Sequence, residues 1–160
     1  MSKTTVKSEK GQLNILITRE FDAPRMRVFK AFVDRELFPK WLGPRKYDMI
    51  LDTFEPKNGG SWRYIQQDKE GHKFAFHGVY HEVIAPELLI DTFEYEGLPE
   101  PGHVSFETAR FSELPDNRTL LTINTVFQSV DDRNDMLKAG MEGGMSESFA
   151  RLDELLENSK

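Results

Sequence analysis

The side chains of this chain that could do chemistry are its histidines, its strand carboxylates and its aromatics. His77 and His81 are four apart, a spacing that on a helix would bring both rings to one face and hold zinc. They fall in residues 74–83, whose β-branched and aromatic content reads as a strand, and four residues along a strand span roughly 13 Å. They cannot share a metal from there. His72 follows Gly71 in a turn and His103 opens a strand, so the four histidines read as surface or hydrogen-bonded residues. Neither a metal nor a cofactor is expected. Asp52, Asp91, Glu94 and Glu107 are the carboxylates on expected strands. Period 2 sends half of all strand positions to a solvated face, where charge belongs, so these four are expected to point outward. An inward carboxylate would be different, because desolvation raises its pKa and marks a site. There is no Gly-x-Ser-x-Gly, Gly-x-Gly-x-x-Gly or phosphate-loop motif, and Gly59-Gly60 precedes a strand, where it serves a turn or bulge. Shape is left as the main functional signal.

The elements that position these residues can be taken in order. Residues 1–11 are polar and aperiodic and are expected to be a flexible terminus. Leu13, Ile15 and Ile17 alternate through Glu20 as a first strand. Asp22 and Pro24 signal a helix start, with Asp22 as the cap, and Val28, Phe29, Phe32 and Val33 give a short amphipathic helix. A second short helix over 34–41 ends at Gly43-Pro44. Six strands follow at 47–54, 61–67, 73–84, 88–95, 104–112 and 119–128, separated by Gly, Pro, Asn and Asp turns. Connections this short make an antiparallel meander. Residues 129–157 then read as one long helix with Ser129 as N-cap and Asp131 and Asp132 in its first turn. Leu137, Met141, Met145, Phe149, Leu152 and Leu156 form its apolar stripe. Gly140, Gly143 and Gly144 interrupt it, each at a cost of about 1 kcal/mol, which implies space beside the stripe.

This pattern specifies an α+β layer structure in which a curved seven-stranded antiparallel sheet wraps around a long C-terminal helix, with two short helices after the first strand. A chain of 160 residues fits one domain, set at residues 12–158. Its zero cysteines fit a cytoplasmic protein. A net charge of −6 with scattered Lys and Arg argues against nucleic acid, and no apolar run suits a membrane span.

Three stretches carry a resemblance. They are residues 17–24 with Val28-Phe29-Lys30-Ala31-Phe32 and Trp41-Leu42-Gly43-Pro44; residues 54–64 with 78–83 and Pro86-Glu87-Leu88-Leu89; and Gly140-Met141-Glu142-Gly143-Gly144-Met145 with Ser148, Leu152 and Leu155-Leu156. The chain resembles the family of activator-of-heat-shock-protein-90-ATPase homologues, in the START-like (SRPBCC) superfamily of helix-grip folds. The resemblance implies a deep apolar cavity between the curved sheet and the last helix, and it implies no reaction.

From the second short helix and the strands, the residues expected to line that cavity are Trp41, Trp62, Tyr64, Phe76, His77, Tyr80 and Phe93, with Tyr64, Tyr80 and His77 as polar anchors. From the helix they are Met141, Gly144 and Met145. The expected function is binding of a hydrophobic or amphipathic small molecule, with the chain a monomer or homodimer. The alternative is a protein-interaction module acting on a heat-shock-protein-90-type ATPase. An enzyme is the least favoured class, because it needs a convergent inward acid or base.

Overall fold

The computed structural model describes residues 4–158. Eight strands form the sheet: β1 (Thr5–Lys7), β2 (Asn14–Phe21), β3 (Asp48–Phe54), β4 (Ser61–Gln67), β5 (Lys73–Ile84), β6 (Leu88–Tyr95), β7 (Ser105–Leu114) and β8 (Arg118–Val126). Their order is β1-β2-β8-β7-β6-β5-β4-β3, with every pairing antiparallel. From β3 to β8 the strands form the expected meander, and β2 closes onto β8. The count is eight rather than seven because the segment expected to be flexible contains β1, whose Val6 pairs with Ile17 and packs against the core. Met1–Lys3 lie outside the described residues.

Helix α1 (Arg25–Val33) follows β2 and buries Val28, Phe29 and Ala31. Pro24 itself takes its N-cap position, and no side chain caps it, so Asp22 does not have the expected role. Where a second short helix is expected there is a single 3-10 turn at Phe38–Lys40. Asp34 stands before it and its carboxylate accepts from the Glu36 and Leu37 N–H groups, drawing the backbone into a turn instead of a helix.

The C-terminal helix is two helices, α2 (Val130–Lys138) and α3 (Met141–Asn158). Ser129 caps α2 as expected, accepting from the Asp132 N–H at 3.0 Å. The break falls at Gly140, whose φ of 89° lies in the left-handed region. Its N–H donates to the Leu137 carbonyl, the helix-ending geometry in which glycine avoids the Cβ penalty. The stripe survives the break. Phe149, Leu152 and Leu156 are buried, while Leu137, Met141 and Met145 are half-buried against the same core.

That core joins β2, β7, β8, α1 and α3: Phe21 meets Phe149 edge-on at 5.5 Å, and Trp41 stacks on Phe149 at 6.3 Å. A second cluster lies on β3, β4 and β5, built from Phe54, Trp62, Tyr64 and Tyr80. The C-terminal half of α3 therefore sits on a filled interior. Its N-terminal half, where Gly143 and Gly144 replace large side chains, does not.

Candidate functional site

A cavity of about 1310 Å³ opens beneath α2, the Gly140 break and the start of α3, somewhat above the roughly 300–1,000 Å³ of common ligand pockets. Phe74, Phe76, Phe93, Tyr95 and Phe127 supply its aromatic wall, and Met136, Met141 and Gly144 its roof. A Cβ built on Gly144 meets nothing within 4 Å, so this glycine opens space where the apolar stripe would otherwise fill it. Exposed Arg45, Lys46, Glu100 and Asp135 mark the mouth. His103 lines it as well, held at 3.0 Å from Asp132, which pushes the imidazole pKa up.

Alternation builds the wall. Trp62 and Tyr64 on β4, Phe76 and Tyr80 on β5, and Phe93 and Tyr95 on β6 share the inward face. Four of these rings form a closed circuit, Trp62–Tyr64 at 5.3 Å, Tyr64–Phe76 at 5.2 Å, Phe76–Phe93 at 5.4 Å and Phe93–Trp62 at 5.9 Å. Gly78, between Phe76 and Tyr80 and paired with Trp62, makes this possible, because a Cβ there would sit 2.7 Å from the indole ring.

Of the ten residues expected from sequence, Phe76, Phe93, Met141 and Gly144 line the cavity. Trp62, Tyr64 and Tyr80 are on the same face but buried one layer deeper. Three do not belong to it. Trp41 is a core residue, 1% exposed, whose indole N–H donates to the Ala31 carbonyl at 2.8 Å. Met145 packs against the core cluster rather than the cavity. His77 faces the opposite side of the sheet, because its neighbour Phe76 faces in. There it meets Glu96 at 2.9 Å and Glu94 at 3.2 Å, in a network where Arg63 lowers the Glu96 pKa.

The largest departure from expectation concerns the carboxylates. Asp91 and Glu107 point inward, opposite each other across the β6–β7 pairing. They stand two residues deeper than Phe93 and Ser105 on the same strand faces, so they form the next layer in from the cavity wall. Burial pushes the Glu107 pKa up to about 7, against a lowering by Thr125, whose hydroxyl is 3.4 Å away. Burial, then the charge of Glu107, raises Asp91 well above the usual carboxylate range. Both nevertheless keep some solvent-accessible surface.

Donors gather around the pair. The Trp62 indole N–H is buried, faces Asp91 closely enough to lower its pKa, and makes no hydrogen bond of normal geometry. Burial first, and then the two carboxylates, hold the Tyr64 and Tyr80 phenols protonated. Among the described residues, no Lys, Arg or His lies within ion-pair distance of Asp91 or Glu107. The other histidine cluster, Asp68, Glu70 and His72, is an exposed turn in which the Asp68 carboxylate accepts from two backbone N–H groups and faces His72.

The sequence does hold a signal for the inward acids. Leu89-Asp91-Phe93-Tyr95 and Ser105-Glu107-Ala109-Phe111 each place a carboxylate inside an otherwise apolar or small period-2 row.

The model of the family described as Activator of Hsp90 ATPase homolog 1-like protein matches residues 22–157. The chain belongs to this family. Solved structures agree on the helix-grip, START-like fold. A crystal structure of a protein from Rhodobacter sphaeroides is 22% identical, with a TM-score of 0.88 over 98% of this chain and 99% of that one. A solution structure from Arthrobacter aurescens is 27% identical, with a TM-score of 0.86 over 96% and 91%. A protein from Mycobacterium smegmatis is 26% identical, with a TM-score of 0.83 over 96% and 97%. No curated protein matches the chain. No helix among the described residues is long and apolar enough to cross a membrane.

Proposed function

We propose that this family member binds a hydrophobic or amphipathic small molecule in the cavity under α2 and α3. The observation that carries the reading is the cavity itself, about 1310 Å³ with an aromatic wall and a methionine-glycine roof. Apolar walls supply affinity by removing ligand surface from water, and a few polar groups set orientation. Methionines adapt to variable contents. Native mass spectrometry of the purified protein and thermal shifts against a lipid and aromatic-compound panel test it. Gly144→Leu is the matching variant: its side chain enters the open space, so ligand-induced stabilisation disappears while the domain stays folded. Unchanged ligand stabilisation in that variant would remove the glycine argument.

The family match favours a second reading, a module that stimulates a heat-shock-protein-90-type ATPase. That activity needs a surface rather than a cavity, so it should persist in Gly144→Leu, and an ATPase assay with the purified chaperone separates the two. Asp91 and Glu107 supply the inward acid that an enzyme would require, since a carboxyl titrating near neutrality suits proton transfer.

A further inference from the structure

One layer behind the Phe93 and Ser105 wall of the cavity lies a combination that an apolar ligand alone would not explain. Two carboxylates face each other across β6 and β7, where opposed Cβ atoms are about 4.5–5.5 Å apart. One small group can therefore touch both. Burying a carboxylate without a partner is costly, and none of the basic residues described comes within ion-pair distance. The flanking circuit of Trp62, Tyr64, Phe76 and Phe93 presents the π-faces that attract an organic cation. A further sign is the buried Trp62 indole N–H, unpartnered beside Asp91. At the mouth the four carboxylates of Glu100, Asp132, Asp135 and Glu147 still outnumber Arg45, Lys46 and the Asp132-paired His103, a field that draws a positive ligand inward.

We propose that the ligand is an amine, its alkyl or aryl body filling the aromatic cavity and its ammonium group seated between Asp91 and Glu107. This inference rests on the small-molecule reading and adds the chemistry of the polar end. Binding then exchanges a proton for an ammonium. In the empty site the pair lowers its charge by holding a proton; the bound ammonium replaces that proton as the counter-charge, and the ionised Asp91 accepts from the Trp62 indole as well. A hydroxyl ligand can donate a hydrogen bond there but brings no charge. A carboxylic ligand adds a third acid.

The pH dependence separates these cases. Around the pair, Tyr64 comes from β4, Tyr80 from β5, the two acids from β6 and β7, and the untitratable Thr125 from β8. The phenols stay protonated across neutrality, and His103 with Asp132 lies at the mouth rather than against the pair. An aliphatic ammonium keeps its charge up to about pH 10. Between about pH 6 and about pH 8 Glu107 therefore ionises while the ligand does not change, and amine affinity should rise.

The test is calorimetric titration of the full chain with decylamine, decanol and decanoic acid at those two pH values, repeated on Asp91→Asn/Glu107→Gln. Decylamine is expected to bind tightest, by about tenfold or more at the higher pH, and to strengthen with pH while decanol does not. The double variant should bind decanol as before and lose the preference for the amine. If decanol binds and decylamine binds no better, or if the double variant keeps the preference, the cation seat is wrong and the cavity reading stands. If none of the three binds, the cavity reading fails and the amine falls with it.

Discussion

Glu107 shows most directly what one inward side chain does to this molecule. Its folded pKa, about 7, lies above the ordinary glutamate value of 4.5, so between those values the unfolded chain has released a proton that the folded chain still holds. Stability must then fall as pH rises through that window and level off above it. Glu107→Gln removes the titration. The variant should be more stable than the parent at about pH 8 by on the order of 1–3 kcal/mol, with the advantage vanishing towards about pH 4. Urea denaturation across this range checks it, and equal pH slopes for the two proteins would show that Glu107 is not buried as described. The outward rule missed this residue for a physical reason. Solvation is what places charge on a sheet's outer face, and an internal cavity with its own residual access provides a second place for it. His77 is the converse: with Phe76 inward, strand alternation alone excludes it from the cavity.

Among the elements, α3 is held by polar stitching as well as by its apolar stripe. Ser148 is buried, and its hydroxyl donates to the Gly144 carbonyl at 2.9 Å and accepts from the Gly43 N–H at 2.8 Å. One turn on, the Arg151 guanidinium donates to the Gly43 and Lys40 carbonyls. The helix therefore fixes the loop that follows the 3-10 turn, and that loop supplies Pro44 and Arg45 to the mouth of the cavity. Ser148→Ala leaves the Gly43 N–H without its partner in a buried setting, which should cost about 1–3 kcal/mol. The loss should appear in thermal melts as a lower Tm, together with faster amide exchange at Gly43. A lower Tm without change at Gly43 would place the effect elsewhere. None of this stitching is legible in sequence, because Ser148 and Gly43 are far apart in the chain and a lone serine carries no periodic signal. The helix break was legible. Lys138-Ala139-Gly140 has a basic residue in the last turn followed by glycine, the usual ending of a helix, yet the continuous stripe across it suggests a single element.

For the molecule as a whole, the strand order from β3 to β8 follows from short turns between alternating segments, which is why the fold could be read almost completely beforehand. Strand β1 could not. Three residues of Thr5–Lys7 pair only along one edge, too few for alternation to show. The cavity's existence was implied by the helix glycines, and its contents were not, because volume is a property of several elements together. The aromatics that surround it are the same residue types that fill ordinary cores.

The closing of β2 onto β8 has a kinetic consequence. Each other neighbouring pair in the sheet is adjacent in sequence, whereas Asn14 meets Val126 and Phe21 meets Thr119. Bringing together ends about a hundred residues apart costs roughly 4 kcal/mol of chain entropy before any contact repays it. The hairpins from β3 to β8 can register locally, and the seam is expected to zip afterwards. Ile17→Val in β2 should then mainly accelerate unfolding, while Ala109→Gly in the β6–β7–β8 meander should mainly slow folding. Stopped-flow chevrons measure both, and a slower folding arm for Ile17→Val would put the seam in the nucleus instead. In time as well as in space, β2 waits for β8.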